Sequence, residues 1–257
     1  MMDRTEERTA QLAERLQSVR SRIQQAVSQA GRPDSPQLVV VSKFHPAADV
    51  RRLASLGVRD FGENRDPEAR HKAAELEDLD VDWHFVGQLQ SNKAKHVVRY
   101  ASAVHSVDRV SLVEALSTAK QREQARRLES GEQPLRPPRP LRCLIQVDLD
   151  PRPVEDRPPG IGARGGAPPA AVEELAERID RADGLRLQGV MAVAPLGLDP
   201  AGTFRRLREL STSMTSLYPE ATWISAGMSH DLEQAVLEGA THLRIGTDVL
   251  GPRPEVG

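Results

Sequence analysis

Lys43 ends a run of apolar residues, Leu38-Val39-Val40-Val41, with only Ser42 between. A lysine held in such a wall loses hydration, which disfavours the ammonium and frees a neutral amine to attack a carbonyl. That is the chemistry of a Schiff base. A lone lysine at a strand end more often snorkels to solvent, so spacing by itself leaves both readings open. Two further groups bear on the choice. Ser225-Ala226-Gly227-Met228-Ser229 runs from a strand pattern into a helix start, and Arg244-Ile245-Gly246-Thr247 lies in the next strand pattern. Small residues let backbone N–H groups approach an anion, and Ser229 is placed to cap a helix beginning at His230. Taken singly, Ser229 is an ordinary cap and Gly246 an ordinary bulge. Together with Lys43 they suit a ligand with an aldehyde at one end and a phosphate at the other.

Other polar groups sit in apolar strand patterns, where an unpartnered charge is costly to bury: Gly62-Glu63-Asn64 and Trp83-His84-Phe85-Val86-Gly87. A glycine motif, Gly160-Ile161-Gly162-Ala163-Arg164-Gly165, matches the dinucleotide fingerprint in letters only. It follows a proline-rich stretch, where the fingerprint needs a tight turn between strand and helix. The arginine pairs Arg51-Arg52, Arg126-Arg127 and Arg205-Arg206 raise a scaffold for macromolecular partners; acidic residues elsewhere on the helices favour a solvated surface.

The elements that must hold these groups follow from periodicity. Leu12, Leu16, Val19, Ile23 and Val27 form one stripe of a helix over residues 3–30, stopped by Gly31 and Pro33. Beyond it, strand patterns at 38–43, 59–63, 83–87, 103–107, 141–149, 185–194, 222–227 and 242–250 alternate with helical patterns at 47–56, 67–79, 91–100, 109–128, 168–182, 201–217 and 229–238. Eight strands with a helix between each pair predict a parallel sheet closed into a (β/α)8 TIM barrel, an α/β fold with an extra N-terminal helix, whose chemistry sits at the C-terminal ends of the strands. The whole of 1–257 reads as one domain, with proline- and glycine-rich loops at 130–140 and 151–167 on either side of the fifth strand.

The 257 residues carry 35 Lys and Arg against 37 Asp and Glu, so a generally basic nucleic-acid binder is excluded, and 3% aromatic residues leave little for base stacking. The single cysteine, Cys143, cannot form an internal disulfide; no apolar stretch reaches the roughly 18 residues of a membrane span, and the polar start is unlike a secretory leader. A cytoplasmic protein without a membrane partner is expected. Packing of the N-terminal stripe on its own barrel points to a monomer.

An aldehyde and a phosphate describe pyridoxal 5′-phosphate (PLP), and the chain resembles the pyridoxal phosphate homeostasis protein family, whose barrel is similar to the N-terminal domain of alanine racemase. The resemblance rests on Val41-Ser42-Lys43 with Pro46, Asp60-Phe61-Gly62-Glu63-Asn64, Trp83-His84-Phe85-Val86-Gly87 with Leu89-Gln90-Ser91-Asn92-Lys93, His105-Ser106-Val107-Asp108, Gly189-Val190-Met191-Ala192, Gly227-Met228-Ser229 and Arg244-Ile245-Gly246-Thr247. It implies a PLP aldimine at Lys43. It also implies a phosphate cradle of Ser225, Ser229, Gly246, Thr247 and the Met228 backbone, a pocket lined by Asn64, His84 and Met191, and Arg244 facing the pyridine nitrogen. Phe44-His45 departs from the family, many members of which carry a lysine or glutamine after a small polar residue; His45 is expected at the surface.

The resemblance implies a non-catalytic carrier in intracellular PLP homeostasis, meeting PLP-dependent apo-enzymes transiently. The alternative is a racemase-like PLP enzyme acting on amino acids. Racemisation on this barrel resembles a two-base process, with a tyrosine from a further C-terminal domain. Here the chain stops soon after the eighth strand, and Tyr100 and Tyr218 fall at predicted helix ends. An arginine does not give up its proton, so a pyridine facing Arg244 is a poor electron sink.

Overall fold

The computed structural model describes residues 4–131, 139–157 and 165–253. Eight strands, β1 (Gln37–Val41), β2 (Asp60–Glu63), β3 (Asp82–Phe85), β4 (Ala101–Val107), β5 (Leu141–Gln146), β6 (Leu185–Met191), β7 (Trp223–Ser225) and β8 (His242–Ile245), pair in parallel and in sequence order. Pairing of β1 with β8 closes the barrel. The strands read as apolar runs because both faces are covered, the inner by side chains across the barrel and the outer by helices. The closure is tight at β6 and β7. A Cβ on Gly189, whose φ is 154°, would lie 1.9 Å from the Trp223 carbonyl oxygen.

The helices are α1 (Arg4–Gln29), α2 (Ala47–Ser55), α3 (Asp66–Glu75), α4 (Ala94–Val97), α5 (Val110–Ser130), α6 (Val172–Asp180), α7 (Pro200–Leu217), α8 (Leu232–Leu237) and α9 (Thr247–Leu250). The stripe of α1 is buried from Leu12 to Val27, and the helix packs on α2, α8 and α9 of the same chain. Each such side chain contributes roughly 1.5–3 kcal/mol before the entropy of ordering is counted, enough to fasten α1 across one sector of the barrel. Among the described residues no helix is long and apolar enough to cross a membrane.

Several boundaries differ from the sequence reading. The eighth strand ends at Ile245 rather than Leu250: Gly246 turns the chain, and Val249 and Leu250 are buried on the short helix α9. The pattern at 91–100 divides into a 3-10 turn, Ser91–Lys93, and the four-residue α4. Ser229 does not cap the helix after β7. That helix starts at Leu232 with Asp231 in the cap position, and the Asp231 carboxylate instead accepts the Met228 N–H at 2.6 Å. The glycine motif at 160–165 and most of the loop at 130–140 lie outside the described residues, apart from Gly165 and the loop ends.

Candidate functional site

Parallel pairing puts every strand's C-terminal end at one mouth of the barrel, and most of the sequence-predicted residues meet there. Lys43 follows β1 and Asn64 follows β2, its neighbour. Met191 ends β6 in register with Ser225, which ends β7. Arg244 lies on β8 opposite Val39 of β1, and Gly246 and Thr247 open the turn beyond it. Met228 and Ser229 occupy the turn between β7 and α8. One arc, β6-β7-β8-β1-β2, thus carries all of them except His84. On β3, His84 is fully buried and turns both ring nitrogens into the barrel, Nε2 to Asp60 Oδ1 and Nδ1 to His105 Nε2, each at 2.8 Å.

Lys43 has the properties its position asked for. Half-burial lowers its pKa first, and the guanidinium charges of Arg253 and Arg65 lower it further, against the opposing pull of Glu63 and Glu68. The free amine is therefore more available than on an ordinary surface lysine. The next residue, Phe44, has φ +67°, a left-handed backbone that bulky residues rarely adopt. The strain is held from three sides. The Phe44 N–H donates to Glu68 Oε1, and the guanidinium carbons of Arg65 and Arg253 lie 5.0 and 4.5 Å from the ring centroid. His45, expected at the surface, is 6% exposed, and burial lowers its pKa. The bend at Phe44 turns it inward, toward Asp49 of α2.

Behind Lys43 stands a residue the sequence gave no reason to single out. Lys72 on α3 is buried and donates from Nζ to the Ser42 carbonyl oxygen, Glu63 Oε1 and Glu68 Oε1, each at 2.7 Å. Ser42 Oγ donates to the same Glu63 oxygen at 2.7 Å. The end of β1 is thereby fixed by an ion-pair network, while burial raises the pKa of Glu63 against the pull of Lys72. In sequence Lys72 is one more charge on a polar helix.

On β8, the strand paired with β1, Arg244 is buried and donates to Ser225 Oγ at 2.6 Å and to the Ala192 carbonyl oxygen at 2.9 Å. Burial lowers its guanidinium to about 10, so the charge persists at neutral pH. The structure also tests whether PLP suits the mouth. Asn64 Oδ1 is buried without a hydrogen-bond partner, an orphan that a ligand's donor would satisfy. A Cβ on Gly246 would lie 3.1 Å from the Val41 carbonyl oxygen, so this turn runs close to the end of the strand that leads to Lys43. The Met228 N–H is spent on Asp231, so of the groups expected to cradle a phosphate Ser225, Ser229, Gly246 and Thr247 remain. Among the described residues there is no His, Cys, Asp and Glu cluster able to hold a metal.

The family described as alanine racemase, N-terminal domain, matches residues 15–254. A pyridoxal phosphate homeostasis protein of Corynebacterium glutamicum is 40% identical over 237 residues, covering 92% of this chain and 99% of its own. That of Pseudomonas aeruginosa is 38% identical over 94% of this chain and 96% of its own. The chain belongs to the pyridoxal phosphate homeostasis protein family. A solved relative, PipY of Synechococcus elongatus with PLP bound, is 35% identical with a TM-score of 0.73, covering 93% of this chain and 100% of that one. Alanine racemase of Streptomyces coelicolor, at 17% identity and a TM-score of 0.67, shares the fold and extends well beyond it, with 58% of its chain covered.

Within a homeostasis-family barrel, α1 acquires a definite task. Arg22 donates from Nε and Nη2 to Glu233 at 2.7 and 3.0 Å, from Nη1 to Asp248 at 2.6 Å, and from Nη2 to the Ser229 carbonyl oxygen at 3.0 Å. One guanidinium thus ties together the turns after β7 and β8. In sequence, α1 shows only its apolar stripe. Five of the six arginines of the scaffold reading are met by acidic groups: Arg51 by Asp78, Arg52 by Asp49, Arg126 and Arg127 by Glu123, and Arg205 by Glu238.

Proposed function

We propose that this chain binds PLP as a lysine aldimine at Lys43 and serves intracellular PLP homeostasis as a carrier, without turning an amino acid over. The observation that carries the reading is Lys43 itself: a half-buried amine, lowered in pKa, at the mouth of a closed barrel and on the same arc as Arg244 and the β8 turn. When bound, PLP supplies an aldehyde for that amine and an electron-withdrawing ring. Asn64 and Met191 would line the ring, and Ser229, Gly246 and Thr247 would receive the phosphate.

Two features favour holding over catalysis. Arg244 keeps its proton at neutral pH and offers a pyridine nitrogen no acid to share. The tyrosines precede β4 and β7, at the barrel end opposite Lys43: Tyr100 comes directly before β4, and Tyr218 caps α7. Burial pushes the Tyr100 phenol far up, away from any role as a base. Transient contact with apo-enzymes belongs to this reading as the exit route of the cargo.

The test is equilibrium binding of PLP to wild type and Lys43→Ala, with α-hydrogen exchange of alanine measured in deuterium oxide on the loaded wild type. Micromolar or tighter binding lost in the variant, with exchange far below a dedicated racemase, is the expected result. Equal binding by the folded variant would overturn the site, and racemase-like exchange would overturn the carrier.

A further inference from the structure

Five side chains connect the two ends of the barrel interior. Asp60, at the N-terminal end of β2, accepts from Gln37 through Oδ2 at 2.6 Å and faces His84 Nε2 through Oδ1 at 2.8 Å. His84 Nδ1 faces His105 Nε2 at 2.8 Å, His105 Nδ1 faces Ser225 Oγ at 2.9 Å, and Ser225 Oγ receives Arg244 at 2.6 Å. His84, His105 and Ser225 are essentially inaccessible to solvent.

The donors can be assigned from one end. A carboxylate oxygen only accepts, so His84 donates from Nε2. Its Nδ1 then accepts from His105 Nε2, His105 Nδ1 accepts the Ser225 hydroxyl proton, and the Ser225 oxygen is left to accept from Arg244. Every donor and acceptor is used once, with a single proton on each ring. The reverse polarity needs one more proton in a wall already facing Arg142 and Arg244, with His242 6.5 and 6.4 Å from the two rings. Burial and those neighbours hold His105 well below the ordinary histidine range, and burial lowers His242, tilted against Trp223 with ring centroids 3.9 Å apart, to about 3.

We infer that Asp60, His84 and His105 are positioning residues of the Lys43 site, a one-way hydrogen-bond chain that fixes the Ser225 hydroxyl away from the mouth and holds the Arg244 guanidinium against it. This rests on the PLP reading of that site. It removes Ser225 from the phosphate cradle and makes it the support of Arg244. It also lets a residue at the far end of the barrel set the electrostatic face presented to a bound pyridine.

The test combines a measurement on ligand-free protein with one on loaded protein. Nitrogen-15 NMR of the histidine rings in wild type should find both His84 and His105 protonated at Nε2; a proton on His105 Nδ1 overturns the chain, and this arm needs no variant. Asp60→Leu, which removes the terminal acceptor, should mix the tautomers, shift the visible band of the PLP complex and weaken PLP about 10-fold, the loss of one buried hydrogen bond, while borohydride still labels Lys43. Asp60→Asn, which keeps an acceptor oxygen, should restore band and affinity. A folded Asp60→Leu protein with the wild-type band and affinity would overturn the inference while leaving the Lys43 reading intact. No band in the wild type would remove that reading and the inference with it.

Discussion

The guanidinium of Arg22, on the first helix, lies 2.6 Å from the carboxylate of Asp248, on the short helix α9 that follows the last strand. The same guanidinium reaches Glu233 and Ser229, so a helix that precedes the barrel in sequence holds the two turns proposed to receive phosphate.

Replacing Arg22 by Ala should therefore loosen the cradle more than the fold. Partly exposed ion pairs are worth little individually, so stability should fall by about 1 kcal/mol, while PLP affinity drops about 5-fold or more. Thermal unfolding and PLP titration on the same preparation separate the two effects. A large stability loss with unchanged affinity would contradict this assignment.

Gly87 provides a sharper test of Asn64. A Cβ at Gly87 would lie 2.4 Å from the Asn64 carbonyl oxygen and 2.7 Å from its Cα, backbone atoms that cannot swing aside. Gly87→Ala should displace Asn64, lowering stability by about 1–3 kcal/mol and PLP affinity by at least about 10-fold. Chemical denaturation and ligand titration check both numbers. Unchanged affinity in the folded variant would remove Asn64 from the pocket.

The reactivity of Lys43 should respond to Arg253. The Arg253 charge disfavours the ammonium, so Arg253→Gln raises the Lys43 pKa, reduces the neutral amine at pH 7 and slows capture of PLP. The rate should recover as pH is raised. Stopped-flow measurement of band formation across pH gives the profile, which should move in the alkaline direction.

Acid stability should depend on Glu123 of α5. Hydrogen bonds from Arg126 and then Arg127, against an opposing desolvation, lower its carboxyl to about 2. A lowered carboxyl stabilises the folded state above its unfolded value near 4.5, and that contribution fades as pH falls from about 4.5 to about 2. Because the arginines are partly exposed, solvent screening reduces the effect to about 1 kcal/mol. Glu123→Gln should be less stable than wild type by this amount at pH 7, and the difference should shrink below about pH 4.5 and close near pH 2 in denaturation curves.

The barrel was legible because buried parallel strands read as short apolar runs, and the runs at β1, β6 and β8 carried Lys43, Met191 and Arg244 on them or at their ends. Strand ends were less legible. Nothing in Gly246-Thr247-Asp248-Val249-Leu250 distinguishes a continuing strand from a helical turn until the burial of Val249 and Leu250 beside α1 is known. The same limit hid Arg22, whose partners are 211 and 226 residues away, and Lys72, whose role depends on the end of β1 lying over α3. His105 and Asp60 were visible as polar residues in apolar strands. Their connection to Arg244 needed the closed barrel.

The most direct measurement is borohydride reduction of the PLP-loaded protein followed by peptide mapping. One pyridoxyl group is expected, on Lys43, and it should be lost together with the visible band in a folded Lys43→Ala protein. A pyridoxyl group on another lysine, or none while PLP remains bound, would contradict the aldimine at Lys43.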